Sequence, residues 1–389
     1  MHTFQRVARL VGALDARSYS CAVVTARLSI WLRSRLAGID CRLLRPATVG
    51  AHGSPIGKPA LPDARRFDSS VRRALETLCQ SLPVRGVAIW GSGPHDHVLK
   101  SFAKTRRLAT LHFELGNVEP KTFLDPDGVN AAARLARCPD ILDVYDVSDA
   151  EIAEWKVAFI QRKQAQLSIP QQRRLITINP WFLLDLVGIA LLRTPQPAPL
   201  HLGSRLRTKV ALWRRRLQPS LPAVLPRAPY VFLPLQVSTD SNLLVHSSHD
   251  NLAAIAFAAQ RAAELGCDLV IKPHPAEHDT RLLARIFEMC RDRRYILSVA
   301  NTAALIQGAT EVITINSTVG LEARLMGKPV TILGRSLYER FTDRQAAVYA
   351  MRHLLPFVPF GTEPASIAVA DRIIALVEQE CQAAAEGVS

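Results

Sequence analysis

VFLPLQVSTDSNLLVHSS, residues 231–248, opens as a buried strand and turns polar within one step. Val231 to Leu235 is a short apolar run. Gln236, Thr239, Asp240, Ser241 and Asn242 follow within seven residues, and His246 and Ser247 come soon after. In open α/β sheets ligands bind beyond the carboxyl ends of the strands, so a core strand that ends in hydrogen-bonding side chains is a candidate site. The flanking sequence sets the context. DNLAAIAFAAQRAAELG (250–266) has helical spacing, with Asp250 placed as N-cap and Gly266 just past the end. CDLVIKPHP, RYILSV, TEVITIN and KPVTILG then read as strands, separated by DTRLLARIFEMCRD, NTAALIQGA and STVGLEARLMG as helices. Strands alternating with helices predict a parallel, doubly wound sheet.

The same alternation occurs earlier. GVAIWGSG (86–93), HDHVLKSFAKTRR (95–107) and LATLHFELG (108–116) spell strand, glycine turn, helix and strand. The expected fold is therefore α/β and GT-B-like: two doubly wound Rossmann-type domains facing an interdomain cleft. The divisions are an N-terminal acceptor-side domain over 1–160, a helical connector over 161–228, a nucleotide-binding domain over 229–363, and a last helix over 364–389 that crosses back. At 389 residues the chain is long enough for two cores. Seven scattered cysteines without a CxxC pair fit reduced thiols rather than a disulfide frame or a zinc site.

The formal net charge of +14 is concentrated. Between Gln161 and Ala228 twelve Lys/Arg stand against one acid, Asp185. This connector also holds PWFLLDLVGIALLR (180–193), too short to span a bilayer, beside RLRTKVALWRRRL (205–217). Arg205, Arg207, Lys209, Arg214, Arg215 and Arg216 beside that apolar stretch suit an anionic lipid surface. A solvated basic helix beside a buried core helix is the plainer alternative, and nucleic acid a third. No signal peptide is expected from the first twenty residues.

Four strand ends deliver chemistry. Gln236 and Asp240 follow one, Lys272, His274 and Pro275 another, Asn316, Ser317 and Thr318 a third, and Glu114 with Gly116 the fourth. Where TEVITIN runs into STVGLEA, free helix N–H groups and hydroxyls form a candidate phosphate site, although plain N-capping explains Ser317 or Thr318 equally well.

LQVSTDSNLLVHSS, IKPHP and TINSTVGLEARLMGKPVTILGRSLYE together resemble the capsule polysaccharide Kdo transferases of the KpsS/KpsC (LipB) type, closest to the KpsS branch. HFELGNVEPKTFLDPDGVN (112–130) resembles that family's Glu-Glu-Gly-Tyr region, with Leu115 and Asn117 in place of its second Glu and its Tyr. Residues 1–80 match nothing recognised. The resemblance spans roughly 90–338 and implies a GT-B enzyme, peripheral on the inner face of the cytoplasmic membrane. Such an enzyme moves Kdo from CMP-β-Kdo, with retention, to a phospholipid-linked acceptor such as lysophosphatidylglycerol or a Kdo-lipid. It implies Asp240 as nucleophile and Glu114 as acid/base. Gln236, Lys272, His274, Pro275, Asn316, Ser317, Thr318, Gly320 and Glu322 become donor-binding residues, with Ser241, His246 and Ser247 behind them. No metal or other cofactor and no nucleic-acid partner is expected, while other capsule assembly proteins are candidate partners. Another nucleotide-sugar transferase or epimerase of this fold, or a non-catalytic capsule assembly or export partner, are the alternatives.

Overall fold

The computed structural model describes residues 2–46, 62–91, 96–165, 180–195, 222–277, 279–291, 295–359 and 361–387. Arg205, Arg207, Lys209, Arg214, Arg215 and Arg216 lie outside them, as does the side chain of Ser241.

The C-terminal sheet follows the sequence pattern closely. Its strands are β6 (Tyr230–Pro234), β7 (Asp268–Lys272), β8 (Tyr295–Leu297), β9 (Glu311–Thr314) and β10 (Val330–Ile332). All neighbouring pairs are parallel, in the order β10-β9-β6-β7-β8. In chain order this is the doubly wound 3-2-1-4-5, whose topological switch point falls between β6 and β9. The intervening helices are α8 (Ser241–His246), α9 (Asn251–Glu264), α10 (Thr280–Met289), α11 (Thr302–Gly308) and α12 (Thr318–Leu325). Every residue of β6 is buried, which is why it reads as an unbroken apolar run rather than an alternating one.

The N-terminal region is smaller. β3 (Gly86–Trp90), α4 (Asp96–Arg106) and β4 (Ala109–Leu115) form the expected parallel unit. β5 (Thr122–Asp125), unmarked in the sequence pattern, then returns antiparallel to β4. Six residues separate the two strands, too few for the crossover that parallel pairing requires. A separate parallel pair, β1 (Val23–Thr25) and β2 (Cys41–Leu43), flanks α2 (Leu28–Leu36).

Two packing features position the site. α14 (Ile367–Ala385) lies on the outer face of β4, where Val369, Ala370, Ile373 and Val377 meet Ala109, Leu111 and Phe113. A second core joins residues 118–159, including α6 (Asp149–Ala165), to α12, α13 (Asp343–Val348) and the π-helical turn Tyr349–His353. The two sheets are thus held by shared apolar packing.

α7 (Pro180–Leu192), the apolar stretch of the connector, has two unlike sides. One packs antiparallel on α2: buried Asp185 pairs with Arg27 at 2.8 Å and accepts the Ser29 amide at 2.9 Å. A Cβ at Gly188 would sit 2.9 Å from Leu28 Cβ, so only glycine permits this approach. On the other side Leu183, Val187 and Leu191, spaced i, i+4, i+8, are exposed. Among the described residues no helix is long and apolar enough to cross a membrane.

Candidate active site

The chain leaving β6 is held by a mesh of amides. Gln236 is buried, and its Oε1 accepts the Asn316 backbone N–H at 3.1 Å while its Nε2 donates to Asn316 Oδ1 at 2.9 Å. The Gln236 backbone is matched in the same way by Asn251, through N–H to Oδ1 at 3.1 Å and Nδ2 to C=O at 2.8 Å. Asn316 Nδ2 donates onward to the Asn242 carbonyl at 2.9 Å. Gln236 and Asn316 therefore clasp β6 and β9 together across the switch point. Their amides are spent on this clasp, so they shape the loop that carries Asp240. Buried amides with satisfied partners rigidify a site, because breaking one strands its neighbour.

Glu277 steadies the loop from the β7 side. Buried at 2% exposure, it accepts the Ser238 amide at 2.7 Å, the Ser238 hydroxyl at 3.2 Å and the Asp279 amide at 2.8 Å. Asp240 then caps α8, with its Oδ1 accepting the Asn242 N–H at 2.9 Å. Among the described residues Oδ2 makes no hydrogen bond. One carboxylate oxygen is thus pinned, and the other is available for chemistry.

Glu114, at the end of β4, reaches the same space. It is half-buried, with Oε1 on its neighbour Leu115 N–H at 2.9 Å. Burial pushes its carboxyl above the usual carboxylate range; the Leu115 N–H and Arg6 oppose that push, and the charge of Asp240 adds to it. The two candidate catalytic carboxyls therefore feel each other, although 126 positions separate them.

The remaining expected residues divide by what they touch. His274 Nδ1 accepts the Ala276 N–H at 3.1 Å, which leaves the proton of the neutral ring on Nε2, the form that donates to an anion. Pro275 is exposed in the turn that follows. Lys272 Nζ donates to the Ala300 carbonyl at 2.6 Å and Thr302 Oγ1 at 2.8 Å; burial lowers its pKa to about 8. It ties β7 to the start of α11. Glu322, expected near a ribose, is paired with Lys163 at 2.7 Å and so links α12 to α6. Ser317 is the N-cap of α12, its Oγ accepting Val319 N–H at 3.3 Å, and Thr318 beside it is exposed. Gly320 lies under Tyr338. A Cβ there would collide with Tyr338 Oη and come within 2.7 Å of Thr314 Cγ2, and Tyr338 Oη donates to the Ser317 carbonyl. This glycine serves close packing behind the helix start. Ser247 closes a local turn with His249. His246 lies against Arg335; burial and that cation hold its pKa below the usual imidazole value.

Sequence patterns did not single out four residues of this neighbourhood. Asn251 and Glu277 stand one and two residues from marked positions, so proximity was their only signal. Trp90 was read only as part of a strand, and Arg6 carried no signal, because α1 (His2–Asp15) comes from the stretch without a recognised motif.

Comparison with known proteins gives an independent view. Residues 207–348 match the family described as Capsule polysaccharide biosynthesis protein. The chain is 25% identical over 270 residues to the capsule polysaccharide export protein KpsS of Escherichia coli, covering 62% of this chain and 64% of that protein. It therefore spans less than two thirds of this relative. It is 36% identical over 143 residues to Protein FixF of Sinorhizobium fredii, covering 33% and 34% respectively. Among solved structures, the β-Kdo 2,7 transferase of Thermosulfurimonas dismutans KpsC is similar over 78% of this chain and 89% of that one, at 16% identity and a TM-score of 0.42. The family match thus lies within the C-terminal part of the chain, and the likeness to KpsS extends beyond it.

Proposed function

We propose that the protein is a retaining glycosyltransferase that moves Kdo from CMP-β-Kdo to a phospholipid-linked acceptor in capsule linker synthesis. One observation carries the proposal: two carboxyls from different sheets, Asp240 and Glu114, lie near enough for the charge of one to act on the other, and among the described residues Asp240 Oδ2 makes no hydrogen bond. Retention by double displacement needs a nucleophile at the anomeric carbon and a second group for the acceptor proton.

In the first step Asp240 Oδ2 attacks the anomeric carbon as the bond to CMP breaks, and His274, in the turn after β7, is the residue proposed to meet the departing phosphate. The leaving phosphate is stable as an anion, so no proton is required there. In the second step Glu114 accepts the proton of the acceptor hydroxyl as that oxygen attacks the same carbon and releases Asp240. A base with a raised pKa suits this role, because proton transfer is most effective when the catalytic group titrates near the working pH. The exposed stripe Leu183, Val187 and Leu191, adjoining the basic connector in sequence, suits an acidic membrane surface that presents the lipid acceptor.

The test supplies purified protein with CMP-Kdo generated in situ and fluorescent lysophosphatidylglycerol, or its Kdo-capped form. Mass spectrometry should show added Kdo residues. No adduct on either acceptor, or tighter binding of UDP than of CMP, would overturn the proposal.

A further inference from the structure

α1 is anchored on the segment 357–361 and on α14. Arg9 donates to the Gly361 carbonyl at 2.6 Å and the Val358 carbonyl at 2.7 Å, and stacks over Phe357 at 4.5 Å. Arg17 pairs with Asp371 of α14 at 2.7 Å, and Ala13 enters the core that α14 shares with β4. About one turn before these anchors the Arg6 guanidinium carbon lies 3.9 Å above the Trp90 ring. Trp90 is stacked in turn on Phe113, its register partner, with 5.7 Å between centroids and 3° between planes. Gly91, the next residue, has φ +76° and no side chain, and the position a Cβ would take is 3.5 Å from Glu114 Oε2. Guanidinium and carboxylate therefore flank the same dipeptide, Trp90-Gly91, at the end of β3.

We propose that Arg6 is a positioning residue for Glu114: laid flat on Trp90, its fixed positive charge orients the carboxylate and sets where it titrates. Arginine suits this task, since it keeps its charge at every working pH and its plane stacks on an aromatic face. The other groups facing Glu114 are Asp240 from the β6 loop and the buried Tyr349 phenol from the π-helical turn, with Arg9 behind Arg6. Arg6 is the cation among them that opposes burial and Asp240. The consequence for catalysis rests on the transferase proposal above; the coupling itself does not.

The deciding experiment is thermal unfolding of the full chain against pH, for wild type, Arg6→Met, Glu114→Gln and the double variant. The folded-state pKa of Glu114 is raised, so the native state holds its proton more tightly than the unfolded chain does. Stability from this group falls as pH climbs through that value. Without Arg6 the pKa rises further, and the loss is larger. The Tm gap between wild type and Arg6→Met should widen as pH rises from about 4 to 8, and should stay flat with pH in the Glu114→Gln background. Arg6→Lys, which keeps the charge, should close most of the gap. A gap equally flat in both backgrounds overturns the proposal. In the transfer assay Arg6→Met should move the acid limb of kcat/KM upward by about 0.5–1 pH unit, and an unmoved limb overturns it too. Failure of the transferase proposal shows separately, as no product from wild type at any pH, while the unfolding cycle still decides the coupling.

Discussion

The ends of β6 and β4 deliver the two carboxyls of one cleft, yet they are held by different means. After β6, Gln236, Asn251, Asn242 and Asn316 form an amide mesh, and Glu277 braces it. Those partners, Asn251 and Glu277 among them, lie within the 229–363 unit. After β4, Glu114 has its own backbone neighbour, then groups from far away: Arg6 on α1, Asp240 on the β6 loop and Tyr349 on the π-helical turn. The β6 end is rigid by local hydrogen bonding, and the β4 end is held by the docking of distant helices. Hydrogen-bonded meshes fail all at once, while docked helices can shift by degrees. A fixed Asp240 beside an adjustable β4 end would suit the proposed transfer, whose acceptor is a bulky lipid-linked substrate.

The comparison can be broken in several places. Asp240→Asn keeps an N-cap, though an uncharged one, but removes the proposed nucleophile, so transfer should fall by about 10³-fold or more while stability falls by about 1 kcal/mol at most. Activity within tenfold of wild type would remove Asp240 from the chemistry. Gln236→Leu strands the buried Asn316 N–H and Oδ1, and should destabilise by about 2–4 kcal/mol, lowering Tm by several degrees on calorimetry. Arg9→Met tests the other side. It should lower Tm by less than half as much and raise hydrogen exchange along α1 while the β6 loop stays protected; equal loosening of both would erase the distinction. The smallest effect is expected from Leu183→Ser, Val187→Ser and Leu191→Ser combined, with about tenfold weaker flotation on phosphatidylglycerol vesicles and unchanged CMP binding by thermal shift. A loss of CMP binding here would tie the α7 face to the donor side.

The unequal legibility of the two halves has the same physical origin. In the C-terminal unit each strand is a short apolar run, each helix carries a cap such as Asp250, Asn301 or Ser317, and glycines close the turns. Local signals therefore sufficed to place β6 to β10 and the polar strand ends. What they could not say was how those side chains would be used. Gln236, Asn316 and Gly320 look from sequence like ligand groups, but they are occupied by one another and by Tyr338, because hydrogen-bond partners 80 positions apart leave no local trace. β5 was invisible because its direction depends on the length of the turn before it. Arg6 was invisible because nothing in HTFQRVARL says which tryptophan it will cover. Of the connector, α7 could be read as apolar, but its division into a docked side and an exposed side depends on Asp185 finding Arg27.

The capping role of Asp240 has a consequence for the proposed covalent intermediate. As a free carboxylate its pinned oxygen accepts the Asn242 N–H with a full share of negative charge, and charge-assisted bonds of this kind are roughly twice as strong as neutral ones. Once the other oxygen carries a sugar, the pinned one is merely an ester carbonyl, and the first turn of α8 loses part of its tether. The enzyme-bound sugar would then sit on a strained perch whose recoil favours release. In the proposed reaction the cap would thus be weakest in the loaded form and restored when the sugar leaves, which would discourage the protein from resting there.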